Sequence, residues 1–195
     1  MSDLREFRIG LKAYLADCHA RPFVCTGSPL ECRSFVVGLN AATRLDTFSA
    51  YWSDRTGFCR EKFKIDHSQE RSGRGNRPRI EALAEKIEPC LETNLFAIPT
   101  KKARQLTKDD RKSPIICYLF EVIKPDRVFV HGNEPIRFFE EKTGCSDFTS
   151  QPRRARWQGH DFWLFGRDGP LYTLRRHPKI TALTGSVFVS VGWIV

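Results

Sequence analysis

Ser34-Phe35-Val36-Val37-Gly38-Leu39-Asn40-Ala41-Ala42-Thr43 is the stretch on which the fold of this chain turns. A short β-rich run halted by glycine reads as a buried strand, here residues 34–38. Outward from it, strands and amphipathic helices alternate. Toward the carboxyl end, Ile80, Leu83, Ala84 and Ile87 share one helical face and Pro89 closes that helix. Leu91 to Ile98 form a second strand. Ser113-Pro114 opens the next helix, with a capping hydroxyl and then proline where the missing amide hydrogen does no harm. Ile115, Ile116, Leu119, Phe120 and Ile123 make its buried stripe. Arg127 to His131 is a third strand, leading through Gly132-Asn133 into a helix that carries Ile136 and Phe139 and stops at Gly144. Further strands are expected at Asp161 to Phe165 and Leu171 to Leu174. Toward the amino end, Leu4, Phe7, Leu11 and Leu15 recur at three- and four-residue intervals, the spacing of a peripheral helix over residues 3–17.

This order predicts an α/β three-layer sandwich, with a largely parallel central sheet flanked by helices, because parallel neighbours need crossover connections. No repeat interrupts it, and residues 1–195 are expected to form one domain. Two segments are less regular. Residues 66–79 contain almost nothing that could be buried and read as a mobile basic loop. Val187 to Val195 is apolar and β-branched, and periodicity does not separate strand from buried helix there.

Lysine and arginine number 32 against 23 acids, a formal charge of +9, which favours polyanionic partners such as nucleic acid. No apolar run approaches the roughly 20 residues of a membrane-spanning helix. Met1-Ser2-Asp3-Leu4-Arg5-Glu6 is not followed by the apolar stretch of a secretory signal, so a cytoplasmic protein is expected. Cys18, Cys25, Cys32, Cys59, Cys90, Cys117 and Cys145 include no Cys-x-x-Cys pair and are odd in number. They read as scattered reduced thiols, with Cys90 and Cys117 acting as small hydrophobes, and no metal is expected.

In an open parallel sheet, ligands bind beyond the carboxyl ends of the strands. Lys101, Lys102 and Arg104 follow the second strand, His131-Gly132-Asn133 the third, and Arg175-Arg176-His177-Pro178-Lys179 the expected strand ending at Leu174. Positive charge gathered on that rim suits a nucleic-acid backbone.

Taken together, these strand ends resemble the uracil-DNA glycosylase superfamily at three separated places in the right order, over residues 34–180. Gly38-Leu39-Asn40-Ala41-Ala42 is similar to its first motif, a strand ending in Gly-x-Asp or Gly-x-Asn followed usually by proline and then tyrosine or glycine. Asn94 in Glu92-Thr93-Asn94-Leu95-Phe96 is similar to the asparagine that reads the base, and His177-Pro178 to the His-Pro that opens the loop inserted into DNA. Ala41 stands in place of the proline and Lys179 in place of the usual serine, and the iron–sulfur cysteines of some branches are missing. The resemblance is therefore to a divergent branch. It implies a monomeric DNA repair enzyme, without cofactor, that flips uracil or another damaged base out of DNA and hydrolyses its N-glycosidic bond.

Extruding a base costs a few kcal/mol, so rim groups must hold the distorted backbone. Lys101, Arg104, Arg175, Arg176 and Lys179 are expected to do so, helped by backbone amides near Gly132 and Asn133. Ile180, or failing it Leu183, is the expected apolar wedge. Gly38, Leu39 and Ala42 would border the base while the Asn94 amide matches the acceptors and donor on the edge of uracil and mispairs with cytosine. The family's stacking aromatic lies about a dozen residues after the first motif, which points to Trp52 first, with Tyr51, Phe48 and Phe58 also open. His177 would donate to the departing base, and Asn40 would hold the attacking water, although a neutral amide is a poor proton acceptor. Ala42 does not wall off the 5-methyl group of thymine as the family's tyrosine does, so tolerance of other modified bases is expected.

Two other classes stand beside this one. A nucleotide- or nucleoside-processing enzyme on a doubly wound sheet would be expected to carry Gly-x-Gly-x-x-Gly or Gly-x-x-x-x-Gly-Lys-Ser/Thr, and neither occurs. A basic DNA-binding module without catalysis would bind in a salt-sensitive way and leave no abasic sites.

Overall fold

The computed structural model describes residues 3–15, 19–70 and 76–167. In chain order its elements are α1 (Leu4–Lys12), β1 (Val24–Cys25), β2 (Ser34–Asn40), β3 (Trp52–Ser53), β4 (Gly57–Phe58), α2 (Arg60–Glu70), α3 (Arg77–Lys86), β5 (Cys90–Phe96), α4 (Pro114–Ile123), β6 (Arg127–His131), α5 (Asn133–Thr143), β7 (Arg153–Trp157) and β8 (His160–Arg167). The central sheet has six strands in the order β1-β5-β2-β6-β8-β7, and β3 pairs with β4 apart from it. β5, β2, β6 and β8 are parallel neighbours, whereas β1 and β7 close the two edges antiparallel. The expected α/β architecture with a largely parallel sheet is present.

Alternation along each strand assigns two apolar faces. Phe35, Val37, Leu91, Leu95, Val128, Val130 and Leu164 join one core with Ile116, Leu119 and Phe120 of α4 and Ile136 and Phe139 of α5. Val36, Cys90 and Phe129 face the other way and pack on Leu83, Ala84 and Ile87 of α3. There Phe129 stacks on Phe165 with ring centroids 4.5 Å apart. Helices of about ten residues are marginal alone in water; burial of these stripes, about 1.5–3 kcal/mol for each large side chain, is what holds them. Cys90 lies in the α3 layer as a small hydrophobe, its thiol pushed up by burial. No helix among the described residues is long and apolar enough to cross a membrane.

Several expectations need correcting. Residues 66–70 complete α2 and residues 77–79 open α3, so the stretch read as a mobile loop is largely helical, with 71–75 outside the described residues. Asp66 and Arg77 within it are held by ion pairs that composition does not reveal. Ser113 stands before α4 but makes no side-chain capping bond, and Pro114 alone marks the start. α1 stops at Lys12, short of residue 17, with Asp3 accepting from the Arg5 amide at 3.1 Å and Phe7 and Leu11 buried. The strand expected at Leu171 to Leu174 and the stretch from Val187 to Val195 lie outside the described residues.

The path of the chain locates a crevice. It runs from β2 to β5 on one side, then crosses to β6 on the other side of β2, continues outward to the edge strand β7 and returns to β8 beside β6. Connections leave β2 and β6 in opposite directions, and a cleft opens beyond their carboxyl ends. Asn40 ends β2 and His131 ends β6.

Candidate functional site

Strand register places Gly38 beside Asn94, Val37 beside Val130, and His131 beside Arg167. Asn94, Gly38, His131 and Arg167 therefore form a row across four parallel strands, on the face that carries α3. The preceding row on that face is Glu92, Val36, Phe129 and Phe165. Gly38 is required by what flanks it. A Cβ there would lie 2.9 Å from the Asn94 Oδ1 and 2.9 Å from the His131 Nε2, so any side chain would displace both. The carboxamide and the imidazole lean over β2 from opposite sides. Among the described residues neither makes a hydrogen bond.

These groups open onto a cavity of about 710 Å³, a volume typical of small-molecule sites. β2 and the residues after it contribute Leu39, Asn40, Ala42 and Thr43; β5 contributes Glu92, Thr93 and Asn94; β6 and α5 contribute His131, Gly132, Asn133 and Arg137. α3 adds Arg77 and Ile80, while Arg21 and Phe23 come from the segment before β1. Gly132 takes φ 94°, a conformation that suits glycine, and starts α5 at the cavity mouth.

Asn40 is fixed by the chain that follows β5. Its Nδ2 donates to the Thr100 Oγ1 at 2.9 Å and to the Thr100 carbonyl at 3.1 Å, while the Thr100 amide donates to the Ala41 carbonyl at 2.9 Å. With the nitrogen occupied, Oδ1 is the atom left to accept a hydrogen bond from a ligand or water. Burial pushes the His131 imidazole down to about 4, against a smaller opposing effect of Glu92. It is neutral at physiological pH and carries one donor and one acceptor.

Glu92 is a carboxylate in the wall of the same cavity, yet both its oxygens are taken. The Arg77 Nη1 donates to Oε2 at 2.6 Å and the Arg77 Nη2 to Oε1 at 2.9 Å, and Arg60 also pairs with Oε1. Arg60 further holds the Glu81 Oε2 at 2.7 Å, and Arg77 pairs with Glu81. The guanidinium of Arg77 lies over the Phe63 ring, 5.1 Å from its centre. This lattice ties α2 and α3 to β5 and gives the cavity a rigid charged wall; a carboxylate so engaged is not placed to take a proton from water. Arg167 continues the row beyond His131. Burial and the neighbouring charge of Arg79 lower its affinity for its proton, and among the described residues neither arginine has an acidic partner.

Of the residues expected from sequence, Leu39, Asn40, Ala42, Asn94, Gly132 and Asn133 line this one cavity, with Gly38 forming its floor. Trp52, Tyr51, Phe58 and Phe48 do not line it. They pack with Phe7, Phe23 and Phe63 in an aromatic core, where the Trp52 Nε1 donates to Asp54 at 2.7 Å and Phe48 and Trp52 lie 5.5 Å apart. Phe23 borders the cavity, but its ring is buried in that cluster, 5.3 Å from Phe48. Lys101 and Arg104 are exposed on the turn after β5, one step from the Thr100 that holds Asn40, and Lys102 lies between them. Arg175, Arg176, His177, Lys179, Ile180 and Leu183 lie outside the described residues. Sequence reading misses His131, Phe23, Glu92 and Arg77 as site residues. For His131 the signal was its position as the last residue of a strand.

No model of a known protein family matches this chain, and no curated protein matches it. What the site defines is a class: a polar, amide-rich cleft at the switch point of a parallel sheet.

Proposed function

We propose that the protein is a DNA glycosylase of the uracil-DNA glycosylase type, a monofunctional hydrolase that removes uracil and related deaminated bases during repair. The supporting observation is that Asn40 and Asn94, fifty-four positions apart in the chain, meet in one cavity at the carboxyl edge of the sheet. In this reading the extruded base lies in the cavity against Asn94. The Asn94 carboxamide accepts from the ring N–H and donates to the adjacent carbonyl, and a base with the reversed pattern leaves buried groups unpaired. Asn40, held through its nitrogen by Thr100, presents Oδ1 to the attacking water and positions it without strongly activating it. The barrier then falls mainly through stabilisation of the departing base anion by donors, His177 among them.

The experiment is direct. Oligonucleotides carrying uracil, hypoxanthine or xanthine are incubated with the protein, treated with alkali and examined for scission at the lesion. Wild-type protein is expected to give lesion-dependent cleavage, and Asn40→Ala to reduce it by about 100-fold or more. Salt-sensitive DNA binding with no abasic sites would identify a non-catalytic module instead, and the proposal would be wrong.

A further inference from the structure

We propose that Arg79 and Arg167 together form a binding site for a dianionic phosphate group, on the α3 side of the sheet and outside the polar cavity. The site stands independently of the glycosylase reading.

The two side chains are brought together by the elements that carry them. α3 packs on Val36, Cys90 and Phe129 through Leu83, Ala84 and Ile87, and Phe165 lies against the same cluster. Arg79 stands one helical turn before Leu83, on the face of α3 that meets the sheet. Arg167 is two residues beyond Phe165 on β8 and opposite His131 in register, so it belongs to that same face. Apolar side chains would ordinarily continue such a stripe. Here two half-buried guanidiniums do, near enough that the charge of Arg79 adds to burial in lowering the affinity of Arg167 for its proton. Each leaves a buried donor without an acceptor, Nη1 in Arg79 and Nε in Arg167.

Arg77, two residues earlier, shows the contrast: its charge is met by Glu81 and Glu92. No acid occupies the first turn of α3, where the helix dipole already adds positive potential. Like charges held together over unsatisfied donors cost stability, and an anion between them removes that cost. The planar arginine fork matches an oxyanion bidentately. A carboxylate would cancel one of the two charges, whereas a phosphate monoester carries about −1.5 to −2 at neutral pH and meets both. Neither arginine lines the polar cavity, so phosphate bound here leaves that cavity free.

Calorimetry and thermal unfolding with inorganic phosphate, against sodium chloride at equal ionic strength, test this on wild type, Arg79→Gln and Arg167→Gln. Phosphate at about a hundredfold excess over its Kd should raise the wild-type Tm by about 5 °C or more. Each substitution should weaken phosphate binding by about tenfold or more. Arg79→Lys and Arg167→Lys, which keep the charge without the fork, should bind with intermediate affinity, and they serve should a glutamine variant fold poorly. Oligonucleotides with a 5′-phosphate or a 5′-hydroxyl separate the sources of the ligand. Preference for the phosphorylated strand, lost in Arg167→Gln, makes a strand terminus the ligand; equal binding of both strands beside tight inorganic phosphate makes it a free phosphate compound. Phosphate binding no tighter than chloride in wild type, or an affinity that either glutamine substitution leaves unchanged, overturns the site and leaves the glycosylase reading untouched.

Discussion

Gly38 illustrates how a residue can be legible in kind and illegible in purpose. As sequence it halts a β-branched run and reads as the end of a strand, but the strand continues to Asn40 and the glycine is there for two neighbours on different strands. Nothing local announces a contact with residues 56 and 93 positions away. His131 carries the clearest consequence at this scale. Its imidazole is held at about 4 in the folded protein against an ordinary 6.5, so between those values the unfolded chain binds a proton that the native state refuses. Stability from this group is therefore complete above about pH 6.5, is lost as pH falls toward 4, and changes no further below that; the full swing is about 3 kcal/mol. Urea unfolding at pH 7 and pH 4.5 should show wild type losing more stability than His131→Gln over this interval. Parallel losses in the two proteins would mean that the imidazole is not held neutral by the fold.

Among the elements, those with a continuous apolar stripe were legible and those stabilised by ions were not. α4 presents Ile115, Ile116, Leu119, Phe120 and Ile123 to the core as its periodicity predicts. α2 buries only Arg60 and Phe63 and leaves Ile65 exposed, so the pattern that announces a helix is missing and residues 66–70 look like loop. β7 was missed for a related reason: Arg153-Arg154-Ala155-Arg156-Trp157 buries Ala155 alone, and only the tight Gln158-Gly159 turn into β8 gives it away. What fixes α2 and α3 is the buried exchange of Arg60 and Arg77 with Glu81 and Glu92. Arg60 is 5% exposed, so a change that removes one of its carboxylates leaves a cation with little access to water. Glu92→Gln is expected to lower stability by about 3 kcal/mol, toward the lower end for a broken buried pair because Glu81 remains. Chemical denaturation measures this directly. A loss below about 1 kcal/mol would show that the lattice is replaceable, and that α2 docks through Phe63 instead.

At the scale of the whole molecule, strand order does more than any single residue to define where function lies. Alternating elements in the sequence imply a parallel sheet, but they do not say that the chain crosses β2 between its second and third parallel strands, and it is this crossing that brings Asn40, Asn94 and His131 to one cleft. The net charge of +9 includes the exposed Lys101, Lys102 and Arg104 on the turn after β5, next in sequence to the Thr100 that holds Asn40, and Arg167 paired in register with His131, none of them in an ion pair among the described residues. Like charges left unneutralised around a cavity favour a polyanion over a neutral ligand, because each phosphate contact releases a condensed counterion. The affinity for a duplex should fall steeply with salt. Replacing Lys101 and Arg104 together by alanine should flatten the plot of log K against log salt by up to about 1.8, close to 0.9 for each lost contact on duplex DNA. The same substitution should weaken damaged and undamaged duplexes alike, since these groups meet the backbone and not the base. A double variant with an unchanged slope would place the DNA on another face, whereas a loss confined to damaged duplex would make the two cations part of base recognition.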